Sequence, residues 1–531
     1  MLKPQPKNYR ISKEKERYFL ITIIVINLII KIIPAAILEL GNDEVYYWTY
    51  ALFPDWSHFD HPPMVGLTIQ LFSLNLTFTS AFVFRLGSLV FSSFSILILY
   101  ILVKKLYSVQ AAFISTLLFT SSFYFNIVSG LFILPDTPQM FFILIALYFG
   151  LPAVINENPA KNEDSAMLFF GLFAGLAFLS KYHSLFLWAG FGLYVLFHNR
   201  VWLRKPSFYI SIMITLITMI PVLYWNIRNS FISFTFHENR VGLLNSHLNI
   251  HSFLQFTLGQ LFYQNPVLFV VFILALIQMF RKKKEEKKQL NSVLLWLALP
   301  MILAFNVLSL FRSALPHWTG PAFICLIIPA GSWLSDLYDR KRKRAINTLL
   351  FSNLLFIMVI IAGTIQVRYG TILPGDKSHD PIKLGKNDFT LDMYGWRQAG
   401  EKFSRFLEKE KITETEHKNV KIISNKWFPA AHLDFYVAHP LNIDLLVPSK
   451  LEAAHKYYWI NKKRRIGPDD RVYFITSSQQ YFSPDGFGPL FNEIIPKDTL
   501  RIFRSGVVVK NLFIFEMKGY KPDTINQSVS K

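Results

Sequence analysis

Residues 18–38 and 348–364 are runs of apolar side chains with almost no charge, close to the roughly 20 residues that cross a hydrocarbon core of about 30 Å. Runs of this kind recur along the chain and leave a bilayer as its natural solvent. The composition agrees, because 531 residues with 51 Phe, 52% hydrophobic residues and a mean hydropathy of +0.32 hold more apolar material than one soluble core uses. The cations gather between the runs, at Lys104 and Lys105, at Arg200, Arg204 and Lys205, in RKKKEEKK at 281–288 and in RKRKR at 340–344. Each cluster precedes a new hydrophobic stretch, the pattern of cytoplasmic loops under the positive-inside rule. The net charge of +20 therefore reports topology, and a nucleic-acid partner is excluded as its explanation.

Lys3, Lys7, Arg10, Lys13, Lys15 and Arg17 precede the first run, which is too long for a signal peptide and lacks a small-residue cleavage site. It reads as a retained anchor after a cytoplasmic N-terminus, residues 1–17. Threading from there predicts about eleven transmembrane helices, over 18–40, 84–103, 109–131, 137–155, 166–181, 184–199, 207–225, 264–280, 291–311, 318–338 and 345–366. The membrane domain is then 18–366, with a first outer loop at 41–83. Within that loop, 63–79 is apolar but short and reads as an interfacial or re-entrant helix. After residue 367 the hydropathy drops, and KNVKIISN, RVYFITSS and RIFRSGVVVKNLFIFEMK carry the β-branched and aromatic content of strands, with helical WRQAGEKFSRFLEKE between them. Residues 367–531 are predicted to form an extracytoplasmic α/β domain with a loose polar tail after Tyr520. The single cysteine, Cys325, lies in an apolar segment, so an internal disulfide and a thiolate metal cluster are both excluded.

This topology puts GNDEVYYWTYALFPDWSHFDHPPM at 41–64, LPDTP at 134–138, the loop 226–262 and RSALPHW at 312–318 on one outer face. On a helix capped by Asn42, Asp43 shares a face with Tyr46, Tyr47 and Tyr50, while Glu44 turns away by about 100°. The aromatics suit either an interfacial belt or a ligand platform. His58, Asp60 and His61 could bind a divalent metal, or brace a loop stiffened by Pro62 and Pro63. Asp136 is either a helix cap or a second carboxylate across an outer cavity from Asp43. Lys181, Arg228, His237, Arg240, Arg312 and His317 supply cations or proton carriers that would hold a phosphate there, each with an alternative as a snorkelling or loop residue. An ionisable group at membrane depth, such as Lys181, is a functional candidate by default.

The runs DEVYYWTYALFPDWSHFDHPPM, FRLGS at 84–88, LPDTPQMFF at 134–142, GLFAGLAFLSKYHSLFL at 171–187 and PVLYWNIRNSFISFTF at 221–236 together resemble the bacterial branch of the protein O-mannosyltransferase and aminoarabinose transferase superfamily. The resemblance covers nearly all of 18–366 and weakly the rest. It implies a mainly α integral membrane protein with the C-type glycosyltransferase fold, in a bacterial inner membrane, with the site on the outer face. It also implies a sugar carried on a polyprenyl phosphate as donor, and a glycan, lipid or protein of the envelope as acceptor. The sequence fits this by lacking a glycine-rich phosphate loop. Carried over residue by residue, the resemblance makes Asp43 the catalytic base with Glu44 beside it, and Asp136 the second acid. Lys181 falls near the donor phosphate, where Arg228, Arg240 and His61 would join it, and Tyr46, Tyr47 and Tyr50 would stack on sugar or lipid. Some relatives carry Lys-Pro-Pro where this chain has His61-Pro62-Pro63, so that lysine's phosphate contact does not transfer unchanged. A divalent metal on His58, Asp60 and His61 is the one cofactor candidate. The competing function is a transporter or flippase of lipid-linked sugars, which would show pseudo-symmetric halves with broken midplane helices; neither is visible in the sequence.

Overall fold

The structure is a computed structural model that describes residues 12–242, 247–281, 288–373 and 378–521. Lys3, Lys7 and Arg10, the core of the basic loop at 281–288, part of the loop 226–262 and the tail after Lys521 lie outside the described residues. Fourteen helices form the first part of the described chain: α1 (Lys13–Ile37), α2 (Asn42–Leu52), α3 (Met64–Phe72), α4 (Ala81–Leu106), α5 (Val109–Ser121), α6 (Asp136–Val154), α7 (Lys161–Ser180), α8 (Leu185–Phe197), α9 (Pro206–Arg228), α10 (Ile232–Val241), α11 (Ile250–Gln264), α12 (Pro266–Arg281), α13 (Lys288–Ser309) and α14 (Ile324–Tyr369). Their apolar side chains divide between a buried core and an outer surface that exposes residues such as Val25, Ile29, Ile217, Ile220, Phe351 and Leu354. Exposed apolar side chains along helices of this length mark a lipid-facing surface. The chain is an integral membrane protein.

Each of the eleven predicted spans falls on a helix among the described residues, though several of these helices are too short to cross a membrane alone. Among the described residues, seven helical segments are long and apolar enough to cross a membrane by themselves, or eight if the pair α11 and α12, bent by 100°, is one span. The stretch predicted as one span at 109–131 is helical as α5 only to Ser121, and a π-turn at Tyr124–Val128 follows. The spans predicted at 318–338 and 345–366 fall on the two helical halves of α14, which meet at a kink at Lys341, inside the basic run 340–344. The apolar 63–79 segment is the nine-residue α3, too short to span.

The C-terminal part is a five-stranded sheet of order β2-β1-β3-β5-β4, built from β1 (Val420–Ile423), β2 (Asp444–Leu446), β3 (Arg471–Ser477), β4 (Phe491–Arg504) and β5 (Val507–Tyr520). The first three strands are parallel, and β3, β5 and β4 are antiparallel. The predicted strand at 501–518 is in fact a hairpin, because Ser505 and Gly506 both take positive φ, as a tight two-residue connection demands. Helices α15 (Trp396–Lys409), α16 (Trp427–Leu433), α17 (Leu451–Ala454) and α18 (Tyr457–Ile460) complete this part. One apolar cluster runs without a break from Leu38, Tyr46, Trp48 and Phe84 to Phe403, Ile422, Tyr457 and Ile475. The sheet domain is therefore packed into the same core as α2 and is not a tethered appendage. Helix α3 can lie against α2 because Gly66 has no side chain; a Cβ there would stand 2.7 Å from Tyr50 Cβ.

Candidate active site

The short helix α2 sets two adjacent carboxylates in opposite surroundings. Glu44 is buried, and its Oε1 and Oε2 accept Nε and Nη2 of Arg85 at 2.8 and 2.6 Å. The same two oxygens accept the backbone N–H of Ile133 at 3.1 Å and of Gly41 at 2.9 Å. The guanidinium spends its remaining donors on the carbonyls of Ala35, Leu38 and Glu39, at 3.2, 2.8 and 2.9 Å. All five Arg donors are thereby used, and the orphan carbonyls at the end of α1 are satisfied as well. The expectation that Glu44 joins Asp43 in catalysis is corrected: Glu44 is a strut tying α1, α2, α4 and the approach to α6 together. Helix capping is corrected too, since Gly41 is the cap and the Asn42 side chain instead binds Asp392 and His432, both at 2.8 Å.

Asp43, one residue earlier, accepts no hydrogen bond and forms no ion pair among the described residues. Water reaches its side chain, yet the protein encloses that space closely. Burial pushes its carboxyl up to about 6; the negative charge of Asp60 adds to this and Lys181 opposes it. Asp136 and Tyr263 also lie within electrostatic reach. The structure thus brings Asp43 together with the Asp136–Lys181 pair.

Asp136 begins α6 but caps nothing. Its Oδ1 and Oδ2 accept Lys181 Nζ at 3.0 and 2.8 Å, and Oδ1 also accepts Tyr124 Oη at 2.8 Å. Both partners of the ion pair are nearly inaccessible, at 5% and 4% exposure, so the second acid is neutralised where Asp43 is not. His317 faces this pair. Gly320 lets Tyr124 reach it, since a Cβ there would fall 2.2 Å from the tyrosine ring.

Asp60 forms a second, half-buried acidic centre. Tyr46 Oη donates to Oδ1 at 3.0 Å, Tyr50 Oη donates to the same oxygen, and His237 Nε2 lies 2.9 Å from the Asp60 carbonyl. Burial pushes the Asp60 carboxyl up, but His61, His455 and the two tyrosine hydroxyls outweigh it and hold the group below its ordinary value. The expectation that Tyr46, Tyr47 and Tyr50 stack on a ligand is corrected, because their rings pack on each other and on Trp427, His61 and His58. They are at most 4% exposed.

The metal expectation for His58, Asp60 and His61 is also corrected. His58 Nδ1 faces Lys456 Nζ at 2.8 Å, its ring lies 3.7 Å from that of Tyr50, and burial holds its pKa well below the ordinary value. Among the described residues no three His, Cys, Asp or Glu side chains converge to hold a metal. Burial also lowers His61 to about 3, so it is neutral at physiological pH and offers a phosphate a hydrogen bond but no charge. Of the predicted arginines, Arg240 lies over the Phe236 and Trp318 rings at 5.5 and 5.3 Å and acts electrostatically on His237 and His317. Arg228 is not brought in; it stacks over Tyr224 at 5.2 Å at the exposed end of α9.

Sequence reasoning missed His455 and Lys456, which the C-terminal domain inserts against the first outer loop about 400 positions away. No local signal in EAAHKYYWI marks them; only the long-range packing does. It also missed Arg85, although the quoted FRLGS contains it.

Residues 60–225 match the family model of dolichyl-phosphate-mannose-protein mannosyltransferases. Over 326 residues the chain is 24% identical to the lipid A galacturonosyltransferase RgtD of Rhizobium johnstonii, covering 60% of this chain and 66% of that protein. The match therefore spans just under two thirds of the relative's length. The fold is similar to that of ArnT from Cupriavidus metallidurans, with a TM-score of 0.60 for the apo crystal structure and 0.62 for the one bound to undecaprenyl phosphate. Identity to these is 13% and 14%, and each alignment covers 94% of this chain and 98% of the other. The architecture is thus the C-type glycosyltransferase fold. With a family model matched from α3 into α9 and the fold shared over nearly its whole length, the chain is similar to the protein O-mannosyltransferase and aminoarabinose transferase superfamily.

Proposed function

We propose that the protein is a membrane glycosyltransferase that moves a sugar from a polyprenyl-phosphate donor to an envelope glycan or lipid, with inversion at the sugar carbon. The observation that carries this reading is the pairing of one open carboxylate, Asp43, with a buried lysine, Lys181, fixed by Asp136. Breaking the bond between sugar and phosphate passes through an oxocarbenium-like transition state, while the acceptor hydroxyl loses a proton. Asp43 takes that proton: it is free of partners, and its raised pKa makes it a better base than an ordinary carboxylate. The departing phosphate gains negative charge, which Lys181 and Arg240 stabilise without reorganising. Asp136 then acts by orienting Lys181 and not as a second acid.

The relatives support the same chemistry. One neighbour's crystal structure holds undecaprenyl phosphate, and the curated relative is a galacturonosyltransferase of lipid A, so galacturonate is the first donor sugar to try and mannose the second. The cation-rich loops assign the N-terminus to the cytoplasm and the site, with the C-terminal domain, to the outer face of a bacterial inner membrane. The test is transfer of labelled galacturonate or mannose by purified protein from polyprenyl phosphate, with the corresponding nucleotide sugars as controls. Transfer from the lipid-linked donor alone is expected. Movement of the lipid-linked sugar across vesicles without transfer would favour the flippase alternative instead.

A further inference from the structure

His455 of the C-terminal domain is held in a way that its own packing does not require. It follows α17 with φ +49° and ψ −128°, a backbone region that residues with a Cβ seldom occupy and that recurs at ligand sites. Its ring lies nearly parallel to Trp427, with centroids 5.1 Å apart, and meets Tyr46, Phe59 and Phe236 at 6.0, 5.0 and 5.7 Å. Helix α2, the first outer loop and α10 therefore all converge on it. Nδ1 stands 4.0 Å from Asp60 Oδ2, buried and short of a hydrogen bond. The next residue pins the turn, since Lys456 N–H donates to Tyr46 Oη at 3.3 Å and its Nζ lies 2.8 Å from His58 Nδ1. Glycine would remove the backbone strain, and an apolar side chain would remove the unpartnered nitrogen. The chain carries both.

The side chain is 13% exposed while Nδ1 is buried, so solvent reaches the ring along another edge. Because the two ring nitrogens diverge, aiming Nδ1 at Asp60 leaves Nε2 pointing away from it. Resting on the glycosyltransferase reading above, we propose that His455 is a donor-binding residue supplied by the C-terminal domain, whose Nε2 edge hydrogen-bonds a hydroxyl of the donor sugar. A hydroxyl fits better than the phosphate because the neighbouring Asp60 carboxylate repels an anion, whereas a hydroxyl both donates and accepts. Burial lowers the His455 pKa and Arg240 adds to this, while Asp60 and the backbone and side chain of Glu452 oppose them, so the imidazole is neutral when it does this. The C-terminal domain would thereby help to select the sugar, while the membrane helices hold the phosphate.

The experiment uses the full chain in detergent and the polyprenyl-phosphate galacturonate or mannose that turns over. His455→Gly is expected to raise KM for the donor about tenfold, the value of one hydrogen bond near 1.4 kcal/mol. Its kcat stays within about twofold, and it stays folded in a thermal melt, because glycine's acceptance of positive φ offsets part of the lost ring packing. His455→Gln, whose amide reaches the Nε2 position, restores KM to within about threefold. Inhibition by sugar-free polyprenyl phosphate stays unchanged in both. Should the glycine variant fail to fold, His455→Asn takes its place, since it tolerates the same backbone and is too short to reach the sugar. An unaltered donor KM in a folded His455→Gly or His455→Asn overturns the inference. Equal weakening of donor and sugar-free phosphate overturns the assignment to the sugar. Absence of wild-type turnover with any lipid-linked sugar instead defeats the functional reading, and this inference falls with it.

Discussion

The two faces of α2 hold neighbouring carboxylates in opposite surroundings. On one face Glu44 meets four donors, and its charge is consumed in joining helices. On the other, Asp43 has no donor among the described residues and borders open space. A fully satisfied buried charge is stable and inert, whereas an enclosed but unsatisfied one is costly and reactive. Asp136 is intermediate: it is neutralised by Lys181 but set beside the open space, so its value lies in where it holds the lysine. The contrast teaches that the carboxylate proposed as the base differs from its structural neighbour in both exposure and partners.

That contrast can be broken from either side. Asp43→Asn keeps the shape and removes the base, and is expected to lower kcat by about 10²–10⁴ with an unchanged unfolding midpoint; transfer kinetics beside a thermal melt checks this. Arg85→Met leaves Glu44 buried and unpaired, which costs about 3–5 kcal/mol of stability. It should show as lost folded protein on size exclusion, partly recovered in the double variant Arg85→Met with Glu44→Gln. Tyr50→Phe removes one of the two hydroxyls on Asp60 and costs about 1 kcal/mol, read as a small fall in the unfolding midpoint.

Much of this arrangement was legible in the sequence. The helical spacing that set Asp43 apart from Glu44 is a local, 100°-per-residue property, and the structure keeps it. The membrane class followed from apolar runs, which report burial in lipid whatever the tertiary detail. What stayed hidden depends on distant partners. Nothing near Glu44 announces Arg85, 41 positions on, and nothing near Asp60 announces Tyr46 and Tyr50 as its donors. The tyrosines read as a ligand platform because spacing shows which residues share a face but not what covers that face. The 100° bend between α11 and α12 was hidden by the same limit, since a bend is a packing outcome and leaves hydropathy unchanged, whereas the break at Lys341 was marked by its basic run.

The most direct test of Asp43 as the one open carboxylate is the pH dependence of single-turnover transfer. The base works deprotonated, and burial raises its pKa to about 6. The rate should therefore level off above about pH 7 and fall tenfold per unit well below 6. Removing the Asp60 charge in Asp60→Asn should move this limb to lower pH, because that charge adds to the shift. A rate that stays flat down to about pH 4, or a limb that does not move in Asp60→Asn, would contradict the account.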